Sequence, residues 1–130
     1  MPDLSGLLAA AVTDPGLAQL PAQARAGGAR IQGPAALRPL VAATLASPDE
    51  GGPVLAVTAT DREAEELTAA LTDLIGPDAV ASLPSWETLP HERLSPRSDT
   101  VGRRLTIFHR LAHPETDGEL RVVVSAVRSL

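Results

Sequence analysis

The sequence has no cysteine, no tyrosine, one tryptophan and one phenylalanine in 130 residues. Without thiols the chain can build neither a disulfide framework nor a thiolate metal site, which suits a reducing compartment and excludes cysteine redox chemistry. The N-terminus has no basic stretch, and its apolar run through Val12 is far too short to span a bilayer. Neither export nor membrane insertion is expected, and the cytoplasm is the expected compartment. Dense positive charge is also missing, since the formal net charge is −5 and no basic run could track a phosphate backbone. Autonomous nucleic-acid binding therefore has no electrostatic support at the level of the whole chain. Internal repeats, heptads and low-complexity tracts are absent as well.

What is present is apolar material, 44% of residues, enough to form the core of one domain of ordinary size. Residues 1–27 carry two short helical patterns, 4–12 and 17–24, on either side of Asp14-Pro15-Gly16, and end in the turn-prone Gly27-Gly28. They read as an N-terminal helical arm. Residues 28–130 alternate short apolar runs with longer amphipathic ones. A weak strand is expected at 29–32, then a helix over 34–46 with Leu37, Leu40, Val41 and Leu45 on its buried stripe. Residues 53–59 are nearly continuously apolar, as expected of a strand covered on both faces. Thr60 and Glu63 have capping-box spacing ahead of the stripe Ala64, Leu67, Leu71 and Leu74.

A third strand is expected at 80–83 and a fourth at 120–126. Between them, from Ser98, a helix carries Val101, Leu105, Phe108 and Ala112 on one face, expected to be buried, with Arg103 and Arg110 roughly opposite. The alternation implies an α/β fold, a parallel sheet with helices on both faces joined by right-handed crossovers. The sequence stops at Arg128-Ser129-Leu130, where a next helix is expected to start, so the domain reads as truncated.

The most specific stretch runs from Leu83 through Trp86-Glu87-Thr88-Leu89-Pro90 and Ser95-Pro96-Arg97-Ser98-Asp99 to Arg103-Arg104-Leu105. It resembles the segment near the N-terminus of the bacterial transcription-repair coupling factors, the Mfd family. That family has a Trp-Glu-Thr-Leu-Pro box, a Ser-Pro-x-x-Asp box and an Arg-Leu-containing helix there. The resemblance extends more weakly over 28–130, and the excision-repair protein UvrB is similar at 96–100 and 124–127. It implies a UvrB-like module, degenerate as a P-loop NTPase or helicase domain, within a longer protein. That protein recognises stalled RNA polymerase, drives along DNA with a separate ATP-dependent motor and recruits UvrA. UvrA contact is attributed mainly to the domain that follows this one. The resemblance thus implies a non-enzymatic scaffold that helps hold the repair-recruiting half closed against the motor half. ATP and Mg²⁺ would belong to the motor domains, so no cofactor is expected here.

The residues themselves support the absence of a nucleotide site. A turn at Gly33 ahead of a helix has the layout of a phosphate loop, but the motif G-x-x-x-x-G-K-[ST] counted from Gly33 meets Arg38, Pro39 and Leu40. The second glycine, the lysine and the hydroxyl are all lost. The rival reading is an ATP-binding helicase-type domain with an atypical phosphate loop, and a third is a stand-alone α/β regulatory domain.

No metal site is expected either. His109 and His113 stand at i, i+4, but no HExxH pattern or nearby carboxylate completes a site and Pro114 ends the helix, so they read as a solvated helix end. His91 is the third imidazole. Nothing places two of Glu87, Glu92 and Asp99 at a defined separation and no nucleophile-base pair accompanies them, so a catalytic reading has little support in the sequence. Asp99 is expected in the first turn of the following helix, capped by Ser95 or Ser98. Trp86 is read as a packing anchor or as part of a recognition surface. Arg93, Arg97, Arg103, Arg104 and Arg110 give a local positive bias that could face DNA, an acidic neighbouring domain or water. The candidate docking residues are Trp86, Glu87, Arg97, Asp99, Arg103, Arg104 and Arg110.

Overall fold

The computed structural model describes residues 4–50, 52–86 and 98–130. Among them, helices α1 (Ser5–Ala11), α2 (Pro15–Ala26) and α3 (Arg38–Leu45) precede strand β1 (Val54–Thr58). Helix α4 (Asp61–Ile75), strand β2 (Val80–Leu83), helix α5 (Ser98–Ala112), the short α6 (Pro114–Asp117) and strand β3 (Val122–Ala126) follow. The three strands are all parallel, in the order β1-β3-β2. This is the α/β architecture expected from the alternation of patterns.

Local chemistry accounts for the element starts. Asp14 accepts from the Leu17 N–H at 3.2 Å and Pro15 supplies a ready-made helical φ, which opens α2. Thr60 accepts from the Glu63 N–H at 3.2 Å while the Glu63 carboxylate reaches back to the Thr60 N–H at 3.3 Å. This capping box starts α4 as the spacing predicts. Gly76, at φ +89°, ends that helix in a conformation that side chains with a Cβ resist.

The strand register divides the sheet into two faces. Val54, Ala56, Val80, Val122, Val124 and Ala126 share one face, where they pack with Ala42, Ala43, Ala46, Ala64, Leu71 and Leu74 of the α3–α4 layer. The N-terminal helices join this layer. Leu8 packs against its core, and the Leu4 N–H donates to the Asp73 carbonyl at 3.0 Å. On the second face, Ala81, Leu83 and Val123 pack with Ile107 of α5 and with Leu120. Crossovers α4 and α5 therefore lie on opposite faces. The first runs outward from β1 to β2 and the second returns inward to β3, and one handedness requires opposite faces for opposite directions.

Four expectations are corrected. Residues 29–32 are exposed and carry no strand, so the described residues hold three strands where four were expected. In α3 the fully buried positions are Ala42, Ala43 and Thr44, with Leu37, Leu40, Val41 and Leu45 only partly covered. Small residues let this helix approach its neighbours closely. The doubly covered strand is β3, buried throughout, whereas β1 lies at the edge with Leu55 54% and Val57 49% exposed. Finally, α5 is turned on its axis: Thr100, Arg104 and Ile107 are buried, while Leu105 is 61% and Phe108 49% exposed.

Candidate functional site

In open parallel sheets, ligands sit beyond the carboxyl ends of the strands. Here that position is filled by the protein's own polar groups. Asp61 begins α4 after β1, Ser85 and Trp86 follow β2, Arg128 and Ser129 follow β3, and Arg104 reaches in from α5. The Ser85 hydroxyl donates to Asp61 Oδ1 and lies 2.6 Å from the hydroxyl of the fully buried Ser129. With its proton committed to the carboxylate, Ser85 accepts from Ser129. Arg128 Nη1 stands 3.5 Å from Asp61 Oδ2.

Arg104 closes the cluster. It is only 7% exposed, and its Nη1 donates to the carbonyls of Pro84 at 2.7 Å and Ser129 at 2.8 Å. Its guanidinium carbon lies 4.4 Å from the Trp86 ring centroid and 5.9 Å from that of Phe108. A guanidinium suits this place because it is weakly hydrated, forks to two acceptors and stacks on aromatic faces. It ties the ends of β2 and β3 to α5.

The structure separates the candidate docking residues. Trp86 is 39% exposed and rests on Arg104. Asp99 is exposed in the first turn of α5, as expected, and Arg103 is exposed beside it. Arg110 donates to the Asp78 carbonyl. Arg104, grouped with these as a docking candidate, is interior. Glu87 and Arg97 lie outside the described residues, as do Glu92, Arg93, His91, Ser95 and the boxes at 87–90 and 95–97. Arg103 lines a groove of about 550 Å³ that also takes in Asp61, Glu65 and Thr68 of the α4 side and Ser82 and Ser85 of β2 and its end. The groove runs across the outer edge of β2 and carries both signs of charge.

At the start of α3, Arg38 faces Glu63 at 3.6 Å, the same carboxylate that caps α4. Glu66 joins them in lining a small cavity of about 130 Å³ with Ala35, Pro39, Thr58 and Leu67. Each carboxylate is paired with an arginine, Glu63 with Arg38 and Glu66 with Arg62, so both arginine charges are already partnered. Sequence spacing singles out Arg38 and Pro39 but not Glu63 beside them, because that neighbour comes from the next crossover.

At the far end of α5 the chain turns at Pro114 into α6 and returns two acids to the helix. Nδ1 of His109 is 2.9 Å from Asp117 Oδ2, and Nδ1 of His113 is 3.4 Å from Glu115 Oε1. The two rings lie 4.7 Å apart, centroid to centroid. The helix does stop before Pro114 and both histidines are exposed, as expected of a solvated helix end; the pairing of each ring with a carboxylate is what the sequence pattern did not show.

No family model matches the chain. It is 52% identical over 135 residues to the transcription-repair-coupling factors of Mycobacterium bovis and Mycobacterium tuberculosis, with 98% of the chain aligned. The chain belongs to the transcription-repair-coupling factor family. It spans about a tenth of the length of these curated relatives, 10% in each case. Among the described residues no helix is long and apolar enough to cross a membrane.

Proposed function

We propose that the chain serves as a non-catalytic scaffold segment of a transcription-repair-coupling factor, docked against other domains of the same protein. The observation that carries this reading is the uncovered half of the second sheet face. Leu55 and Val57 of β1 project from it with no helix over them among the described residues, and α5 leaves Leu105 and Phe108 open. Arg103 and Arg110, on the opposite flank of α5, reach the groove at the β2 edge and the Asp78 carbonyl that precedes β2. The apolar flank of α5 is therefore the one turned toward β1.

Chain handedness supports a cover from elsewhere in a longer protein. A strand added beyond β1 would continue the direction taken from β2 to β3, and its right-handed crossover would fall on the α5 side. Such an element would bury Leu55, Val57 and the open flank of α5 together. Arg38, Pro39 and Leu40 stand where a phosphate loop would need glycine, lysine and a hydroxyl, and Arg38 pairs with Glu63, which favours a structural role over a catalytic one. In this reading the parent protein displaces stalled RNA polymerase on DNA in the cytoplasm and recruits UvrA, and ATP and Mg²⁺ act in its motor domains.

The test is Leu55→Glu with Val57→Glu, made in the 130-residue chain and in the full-length protein. Because both side chains are exposed in the chain, its melting point should change little. In the full-length protein the pair should loosen docking, read as faster proteolysis between this segment and the remainder and as altered motor ATPase. Unchanged proteolysis and ATPase would refute docking through this face.

A further inference from the structure

We propose that His109 and His113 form a binding site for a divalent transition-metal ion of the zinc, copper or nickel type. His109 lies in the last turn of α5 and His113 directly after the helix, where its N–H still donates to the His109 carbonyl at 2.9 Å and its ring lies beside that of His109. The same i, i+4 spacing is what places paired imidazoles on one metal in helical zinc sites. Here the rings lie 4.7 Å apart and are tilted by 41° to each other.

The second observation is the pair of carboxylates delivered by α6. An ionised carboxylate can only accept a hydrogen bond. Asp117 at 2.9 Å and Glu115 at 3.4 Å therefore assign the proton of each imidazole to Nδ1. In the neutral form of each ring the Nε2 lone pair is then available. A carboxylate on the far nitrogen is the arrangement that orients a metal-bound histidine and raises its basicity.

The ligand set also defines what would bind. Imidazole nitrogens suit zinc, copper and nickel, whereas magnesium, calcium and manganese prefer oxygen donors. No group of three or more histidine, cysteine, aspartate or glutamate residues that could hold a metal occurs among the described residues. The protein would thus supply two nitrogens and leave the remaining positions to water or to a donor from a docked element. Leu105, Phe108 and Ala112 line the same groove as the two histidines, so the open positions border an apolar surface.

The experiment is a calorimetric titration of the tag-free 130-residue chain with Zn²⁺ or Ni²⁺, with Mg²⁺ as the control ion. One ion should bind per chain. His109→Ala and His113→Ala should each weaken binding at least about tenfold, since each removes half of the protein's ligands. Asp117→Asn should weaken it by roughly 10-fold to 100-fold, the usual effect of losing a supporting carboxylate. His91→Ala should bind like the parent chain, and thermal melts should confirm that all variants fold. The proposal is overturned if neither ion binds at one per chain, if the two alanine variants retain parent affinity, or if Mg²⁺ binds equally well. Parent affinity in Asp117→Asn, or a loss seen in His91→Ala, would equally overturn it.

Discussion

Replacing Arg104 with alanine strips two carbonyls, those of Pro84 and Ser129, of their donor and removes the cation that Trp86 covers. Buried acceptors left without partners cost about 1–3 kcal/mol each, so the loss should come to roughly 2–4 kcal/mol after partial relaxation. Arg103→Ala, one residue earlier and exposed, should stay within about 0.5 kcal/mol. Chemical denaturation of the two variants measures the contrast, and equal effects would contradict the placement of Arg104. Trp86→Ala should cost about 1–2 kcal/mol, because the ring is part exposed and its specific contact is a cation–π pair. A fully buried ring would instead cost about 3–5 kcal/mol. None of this separation is legible in the adjacent letters Arg103 and Arg104. Which arginine turns inward depends on how α5 is rotated, and that is set by the sheet it meets.

Elements differ in how much of them a sequence can reveal, and α4 and α5 mark the two ends of that range. Helix α4 is specified locally: Thr60 and Glu63 cap it, and Ala64, Leu71 and Leu74 all face the core. Thr60→Ala should therefore cost about 1 kcal/mol, the usual penalty for losing a hydroxyl cap, while Thr60→Ser should be nearly silent. A thermal or urea melt decides it. Helix α5 has an equally clear apolar stripe, yet Leu105 and Phe108 on that stripe stay open while Arg104 goes inside. A hydrophobic stripe states that a face needs cover and does not name the cover. The same holds for β1, whose unbroken apolar run suits a strand with two covered faces although α5 packs its buried Ile107 against residues of β2 and β3 and Leu55 and Val57 stay exposed. Residues 29–32 failed as a strand for a related reason, since a strand exists only where a partner offers a ladder. The carboxylates that meet His109 and His113 were missed because α6 folds back, a reversal that helical periodicity does not report.

At the scale of the whole molecule, two properties follow from the sheet and its edges. Mg-ATP should leave the melting temperature of the 130-residue chain unchanged, because a ligand raises stability only by binding the native state. The Arg38–Glu63 pair and the missing lysine leave little to bind it. A reproducible upward shift would restore the nucleotide-binding reading. The open face has the opposite character. Leu55, Val57, Leu105 and Phe108 are all large, apolar and close to half exposed or more, and exposed patches of this kind promote association. The isolated chain should therefore self-associate with rising concentration. Leu55→Lys with Leu105→Lys should reduce that association without lowering the melting point, since charge on an exposed edge opposes pairing and leaves the core untouched. Sedimentation velocity across a range of concentrations measures it. A parent chain that remains monomeric throughout would mean this face is tolerated in water, and the case for a docked neighbour would then lose its main support.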